Sequence, residues 1–580
     1  MTNKTLPQAF FESAAKYNKK RALSYKKNGS YYHISYKELA DKIKIFANNL
    51  IKLRVKQGDN LAILSKNCPE WVIFDLGTML VGGVTVPIHS TLSPKIIAYI
   101  LNHSEAKILV VNGAELLNKV LLVQDQLEFL KSIIYIGQKE ADLDFFSKIK
   151  ILYWNELFLR SQEKESSQIK IKSSDICSII YTSGTTGLPK GVCLTHNNFL
   201  SDIEATKKSI PLYHTDIFLS FLPLSHVLER MGGYYYPLLI GASIAYAEST
   251  KDLPKNLREI HPTVLIAVPR IFERFYEAIF KKIKKGPKWK ENLFFRALKA
   301  EPGTITYKIF DILVFKKIRR QLGGNLRLAI SGGAALDAKI GKFFSKIGLT
   351  IVEGYGLTET SPVIAVNKPR SFKFGTVGQV IDGVEAKISS DREILVRGPI
   401  VMTGYYRNDS ETKQAIDDEG WLHTGDLGFF DRDGFLTIIG RKKEMMVSSG
   451  GKNIWPEPIE NQLTLSKYIN QAVIIGHKRK FVSALIIPTW EEVREYFNSI
   501  DETFSQPENM INNDKVKELI WREIEAVNIN LAEHEKIKKI VLLPNELSEA
   551  KDELTPTLKL RRNTIESNYK KEIEFIYSNN

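Results

Sequence analysis

At 580 residues the chain is too long for one hydrophobic core, so two or more domains are expected. Hydrophobic content of 43% and charged content of 25% are ordinary for a soluble globular protein. Three cysteines, Cys68, Cys177 and Cys193, are an odd number without CxxC spacing, which argues against a disulfide or zinc framework and for reduced thiols in the cytoplasm.

Met1 to Lys20 has no apolar run of signal-peptide length. The first sixty residues read as a helix, a hairpin over Ala22 to Ile34, and a helix from Tyr36 to Leu53. Strands and helices then alternate: Leu61 to Leu64, Glu70 to Leu80, Val84 to Pro87, Ser93 to Ser104 and Ile108 to Val111. This is α/β patterning. The most apolar window, Trp71 to Ile88, contains Asp75, three glycines and Pro87, and reads as buried helix, turn and strand rather than a membrane span.

The strand Ile176 to Ile180 runs into Tyr181-Thr182-Ser183-Gly184-Thr185-Thr186-Gly187-Leu188-Pro189-Lys190-Gly191. The glycines permit a tight turn and close approach of backbone N–H groups to a ligand. Thr182, Ser183, Thr185 and Thr186 add hydroxyls, and Lys190 adds a compact positive charge. A polar surface turn is the plain alternative to a polyphosphate cradle. The string is not a Walker A loop, because Gly191 rather than Ser or Thr follows Lys190. His196, near Cys193, is read as structural.

Further along, Pro223-Leu-Ser-His226 precedes Arg230, Gly232, Gly233, Tyr234, Tyr235 and Leu238. Small residues followed by bulky ones either open an apolar tunnel or pack a helix, and both readings stay open. Between Ala278 and Arg320 thirteen Lys or Arg face only Glu291, Glu301 and Asp311, a local net charge of +10 within a total of +15. Aromatics such as Phe280, Trp289, Phe294 and Phe315 are interleaved. The segment is either a solvated helical pair or a surface for anionic lipid or an acidic protein. Nucleic acid is not expected, since no nucleic-acid motif accompanies the charge.

After a strand over Leu326 to Ile330, Ser331-Gly332-Gly333-Ala334-Ala335 would let a flat base lie against backbone. Glu353-Gly354-Tyr355-Gly356-Leu357-Thr358-Glu359-Thr360 combines a ring for stacking, a hydroxyl for phosphate and a hard carboxylate for Mg²⁺. In Gly420-Trp-Leu-His-Thr-Gly425-Asp426 the aspartate forms a turn or accepts from two adjacent ribose hydroxyls. Gly440 breaks the apolar pattern, and Arg441-Lys442-Lys443-Glu444 reads as a linker. The C-terminal part alternates strands (Gln471 to Ile475, Val482 to Pro488) with helices around Trp490 to Asn498 and Asn513 to Leu531, with a loose loop over 500–514. It ends in the basic string Glu553-Leu-Thr-Pro-Thr-Leu-Lys559-Leu-Arg-Arg.

Taken together, these strings resemble the adenylate-forming enzymes, and the stretches 60–77 and 86–111 resemble the long-chain acyl-CoA synthetases among them. The resemblance covers essentially the whole chain. It implies an α/β fold, with a large N-terminal domain of several sheets (1–440) and a small, mobile C-terminal α+β domain (441–580). It implies activation of a long-chain fatty acid as the acyl-adenylate, with transfer to the thiol of CoA. Transfer to acyl carrier protein is the alternative, and an inactive acyl- or nucleotide-binding homologue is less favoured. ATP and CoA would be co-substrates and Mg²⁺ the cofactor.

Residue by residue, the resemblance makes Thr182, Ser183, Gly184, Thr185, Thr186 and Gly187, with Lys190, the phosphate loop. Gly333, Ala334, Tyr355, Gly356 and Thr358 would line the nucleotide pocket, and Glu359 would hold Mg²⁺. Asp426 would bind the ribose and Arg441 the nucleotide. His226, Gly232 and Gly233 would border the acyl pocket, Gly451 the thiol passage, and Lys443 would be the hinge. Lys559 would be the catalytic lysine. Arg230 stands where some long-chain relatives carry a gating Trp, which argues against a Trp-gated tunnel here. The basic segment resembles an insertion of the long-chain enzymes. The expected location is cytoplasmic, with a transient peripheral contact on the inner face of the membrane.

Overall fold

The computed structural model describes residues 4–138, 149–159, 170–182, 188–548, 551–555 and 560–578. Local sequence sets many helix starts. Thr5 with Gln8, Ser35 with Glu38, and Thr195 with Asn198 form reciprocal capping boxes at Leu6–Lys16, Tyr36–Lys52 and His196–Ser209. Proline in the first turn opens Pro69–Leu80, Pro94–His103 and Pro269–Lys284, where its missing N–H costs nothing.

The chain packs as two compact units. The first comprises 1–387, 395–424 and 430–437. It holds an eight-stranded and a nine-stranded sheet. In the eight-stranded sheet, Asn60–Leu64, Val84–Ile88, Ile108–Asn112, Ser132–Ile136 and Lys150–Tyr153 are joined in parallel, and Val84–Ile88 also runs parallel to Ile176–Thr182. At the other edge Ile176–Thr182 pairs antiparallel with Lys190–Thr195, which pairs antiparallel with Gly404–Tyr405. The nine-stranded sheet has parallel neighbours Ser243–Tyr246, Ile217–Ser220, Val264–Ala267, Leu328–Ser331 and Thr350–Gly356 at its centre.

Strands buried on both faces explain the unbroken apolar runs. Leu61 and Ile63 face a central layer, while Ala62 and Leu64 face the opposite side. In the other sheet Val264 and Ile266 face the same central layer, and Leu265 and Ala267 face outward. Helices Tyr36–Lys52, Pro69–Leu80 and His196–Ser209 fill that layer with Ile43, Phe46, Trp71, Phe74, Phe199 and Ile203. The window Trp71 to Ile88 is thus the buried helix, turn and strand its composition implied. Among the described residues no helix is long and apolar enough to cross a membrane.

The second unit comprises 388–394, 425–429 and 438–580. Its three-stranded sheet joins Ile469–Ile475 antiparallel to Val482–Pro488, which lies parallel to Ile537–Leu542. Ala472, Ile474, Ala484 and Ile486 face the helices Pro456–Leu463, Trp490–Ser499 and Asp514–Asn528. Val473, Ile475, Leu485 and Ile487 face Arg562–Asn568 and Lys570–Ser578. Two local expectations are corrected. The loop expected over 500–514 contains a helical turn, Pro507–Met510, because Met510 is buried in the same cluster as Val516 and Ile520. Gly440 does not break regular structure but lies inside the strand Leu436–Arg441.

Candidate active site

The phosphate string forms the two arms of a hairpin. Thr182 and Lys190 are cross-strand partners in the pairing of Ile176–Thr182 with Lys190–Thr195. Ser183, Gly184, Thr185, Thr186 and Gly187 lie outside the described residues. Gly191 is required by close packing: a Cβ there would sit 2.7 Å from Ile179 Cγ2. His196 opens the next helix, buried, and accepts the Leu6 backbone N–H through Nδ1 at 3.3 Å. It is structural, as expected, and burial drives its imidazole down to about 4.

Two residues missed in the sequence organise the charged groups around this hairpin. Tyr405, in the edge strand Gly404–Tyr405, is set opposite Val192. Its hydroxyl donates to Glu359 Oε1 at 2.9 Å. Its ring centroid lies 5.3 Å from Lys190 Nζ. Lys190 in turn donates to the carboxylate of Glu411. Glu411 sits in the first turn of the helix Asp409–Ala415, where Asn408 accepts its N–H. Lys190, Glu359, Tyr405 and Glu411 therefore form one connected cluster. Burial and the Glu359 charge push the Tyr405 phenol well above its ordinary range, so it donates rather than ionises. A cleft of about 240 Å³ opens beside Lys190, walled by Tyr99, His103, Tyr405 and Tyr406.

Glu359 lies in the turn Thr358–Thr360, and its own carbonyl accepts the Met402 N–H at 2.8 Å. Among the described residues no cluster of three or more metal-ligating side chains is present. One oriented carboxylate beside the hairpin that carries Lys190 nevertheless fits Mg²⁺, which usually binds one or two protein carboxylates together with substrate phosphates.

The remaining nucleotide candidates of this unit sit at the carboxyl ends of adjacent parallel strands, where open α/β sheets place their ligands. Ser331 is in register with Glu353, so Gly333 and Ala334 leave one strand beside the end of the strand carrying Tyr355 and Gly356. Gly333 has φ +86°, a left-handed conformation that suits glycine. A Cβ on Gly356 would lie 1.6 Å from the Pro362 carbonyl oxygen. Glu353 ties the two loops together by accepting the Leu336 N–H at 3.1 Å. Burial raises its carboxyl to about 7, against the effect of that hydrogen bond.

His226 follows the strand Ile217–Ser220 of the same sheet, half-buried, with its carbonyl accepting the Arg230 N–H at 3.0 Å. Gly232 and Gly233 lie in a π-helical turn, Glu229–Tyr235. A Cβ on Gly232 would meet Ile266 at 2.9 Å, and one on Gly233 would meet the Glu229 carboxyl at 2.5 Å. These contacts give both glycines a packing role. Arg230 is wholly buried: it donates to Asp75 at 2.5 Å and to Ser178 at 2.6 Å, while Tyr235 donates to Asp75 at 2.7 Å. A charged side chain so held is a fixed element of the central layer.

In the second unit Arg441 Nε lies 3.2 Å from Asp426 Oδ1, bringing together two nucleotide candidates 15 positions apart in the sequence. Asp426 is only 4% exposed. Glu393 accepts the Gly425 N–H at 3.0 Å and pairs with Lys442, fixing the strand Leu422–Phe430 that carries Asp426 in place of the turn its glycine suggested. Lys443 is exposed in the short turn Lys442–Glu444. Gly451, with φ +73°, sits in an exposed turn where an added Cβ would meet open space. Lys559 lies outside the described residues, but its flanks are pinned. Leu554 bridges Leu560, Glu553 accepts the Arg561 N–H at 2.8 Å, and Arg562 grips the Glu460 carboxylate through two bonds of 2.7 and 2.6 Å. Glu460 was not singled out in the sequence, because nothing local distinguishes it from a solvated helix carboxylate.

The chain is similar to known proteins over nearly its whole length. Residues 10–406 match the AMP-binding enzyme family and 443–580 match the AMP-binding enzyme C-terminal domain. The long-chain-fatty-acid–CoA ligase FadD15 of Mycobacterium tuberculosis is 35% identical, over 95% of this chain and 93% of that protein. The long-chain-fatty-acid–CoA ligase ACSBG2 of Xenopus laevis is 31% identical, over 99% and 84%. The fold is shared with the anthranilate CoA ligase AuaEII in complex with anthranoyl-AMP, at TM-score 0.77 and 21% identity over 99% and 98% of the chains. It is also shared with the adenylation domain of a carboxylate reductase from Mycobacterium chelonae, at TM-score 0.82 and 18% identity over 100% and 92%. From strand-end loops to terminal motif, the chain belongs to the AMP-binding enzyme family.

Proposed function

We propose that the protein is a long-chain fatty acid–CoA ligase working through an acyl-adenylate. A carboxylate is a poor electrophile because its leaving group would be oxide. In the first half-reaction the fatty carboxylate oxygen attacks the α-phosphorus of ATP, the bond to the β-phosphate oxygen breaks, and pyrophosphate leaves. In the second, the CoA sulfur attacks the acyl carbon, AMP leaves, and the thiol proton is released.

The observation that carries this reading is the connected cluster of Lys190, Tyr405 and Glu359 at the phosphate hairpin. Negative charge builds on the α-phosphate and on pyrophosphate during the first step. Lys190 exchanges Glu411 for those phosphates, and Glu359, oriented by Tyr405, would hold Mg²⁺, which would supply charge neutralisation there. Lys559 bridges carboxylate and phosphate. A preorganised positive group at such a site is worth about 3 kcal/mol, or two orders of magnitude in rate. Asp426 and Arg441 hold the ribose and nucleotide. For the second half-reaction the C-terminal domain turns at Lys443, so that the segment near Gly451 replaces Lys559.

A cytoplasmic setting belongs to this reading and is supported by three free thiols. The test is pyrophosphate exchange into ATP dependent on palmitate and Mg²⁺, followed by addition of CoA or acyl carrier protein in separate reactions. Exchange with fast formation of palmitoyl-CoA supports the proposal. Transfer to the carrier alone would reassign the acceptor, and absence of exchange would revive an inactive binding protein.

A further inference from the structure

The basic segment forms helices over Pro269–Lys284, Lys288–Lys299, Ile305–Phe310 and Lys316–Gln321, with a π-helical turn Asp311–Phe315 between the last two. One side packs as the sequence pattern suggested: Phe272, Phe294, Ala297 and Phe315 are buried against Phe344. The other side does not follow the rule that apolar residues turn inward. Ile305, Ile309, Ile312 and Leu313 are 78%, 52%, 65% and 47% exposed, and Trp289 is 63% exposed. The spacing of 305, 309 and 312 places these side chains along one helical stripe. The helices of the same segment also carry exposed lysines, including Lys282, Lys284, Lys288, Lys308, Lys316 and Lys317.

We infer that this face docks on an anionic phospholipid bilayer, with the Ile305–Leu313 ridge and Trp289 entering the headgroup boundary while the lysines meet lipid phosphates. A ridge of aliphatic side chains with a Trp, set among lysines, has the composition of an interfacial element. The local charge of +10 is complementary to an anionic leaflet. The same charge opposes pairing with a second copy through this face, since like patches would meet. A product or substrate with a long acyl chain makes such contact useful, but the docking rests on the surface alone and not on the acceptor.

The experiment is co-sedimentation of the full-length protein with vesicles of phosphatidylglycerol and phosphatidylcholine in equal parts, and with phosphatidylcholine alone. Binding to the anionic vesicles that falls with salt is expected. Lys281→Glu, Lys282→Glu, Lys284→Glu and Lys285→Glu together should weaken it by nearly three orders of magnitude, at roughly fivefold per lysine. Ile305→Ser, Ile309→Ser and Ile312→Ser together should weaken it about tenfold or more while leaving pyrophosphate exchange near wild type. Brominated lipid tails should quench a fluorescence component that Trp289→Phe lacks. Equal binding by both multiple variants, equal quenching with and without Trp289, or concentration-dependent dimerisation abolished by the serine variant would each overturn the proposal. So would loss of binding to an acidic carrier in the lysine variant without any vesicle affinity in the wild type.

Discussion

Tyr405→Phe removes one hydroxyl and leaves the ring beneath Lys190. The lost bond joins a neutral donor to the Glu359 carboxylate at 2.9 Å. A hydrogen bond to a charged group is worth about 1.5–3 kcal/mol, or between roughly tenfold and a hundredfold in rate. Glu359 is only half-buried, so water can replace part of the lost bond, which favours the lower end. The expected result is about a tenfold fall in kcat/KM for MgATP and a raised Mg²⁺ requirement in pyrophosphate exchange. KM for fatty acid should not move, because the ring-to-Lys190 contact is kept. Glu359→Gln, which removes the charge itself, should cost two to three orders of magnitude. If Glu359→Gln loses that much while Tyr405→Phe matches wild type at every Mg²⁺ concentration, Tyr405 does not orient the metal carboxylate, and the cluster is only packing.

Glu411→Gln should tighten MgATP by roughly two- to fivefold in equilibrium binding, since a partly exposed carboxylate no longer competes with phosphate for Lys190. Arg230→Met should destabilise the first unit by about 3–5 kcal/mol in urea unfolding, because Asp75 keeps its burial and loses its counter-charge. Adding Asp75→Asn should recover part of that loss, and an additive double variant would refute the coupling. Burial lifts the Glu229 carboxyl from its ordinary 4.5 to about 8, with a Ser220 hydrogen bond opposing the rise. Between those values the folded chain keeps a proton that the unfolded chain has released, so stability falls as pH rises through this window and levels off above it. Glu229→Gln should flatten the slope, and an unchanged stability–pH profile would contradict it. Lys559→Ala should abolish pyrophosphate exchange yet leave thioester formation from supplied palmitoyl-AMP, and equal loss of both would remove its proposed role.

What could be read in the sequence was local or periodic. The apolar runs Ile176 to Ile180 and Leu326 to Ile330 carry their structure within a few residues, and strands form over them as Ile176–Thr182 and Leu328–Ser331. The groups that organise the charges do not. Glu411 reads locally as a first-turn carboxylate of a capped helix, and its pairing with Lys190 spans 221 positions. Tyr405 reaches Glu359 only because a two-residue edge strand sets it beside Lys190–Thr195. Arg230 could be seen to replace a gating Trp and Asp75 to interrupt an apolar window, but the two lie 155 positions apart on different elements and nothing local paired them. The glycines at 232 and 233 show the opposite limit. A tunnel and a close helix contact ask for the same small residue, and only the position of Ile266 and Glu229 reveals the contact.

The most direct test of the central claim is a single-turnover reaction of the protein with palmitate, ATP and Mg²⁺, quenched before and after CoA is added. Palmitoyl-AMP with stoichiometric pyrophosphate should form first, then palmitoyl-CoA with AMP. Formation of ADP in place of AMP, or release of AMP without a preceding acyl-adenylate, would contradict it.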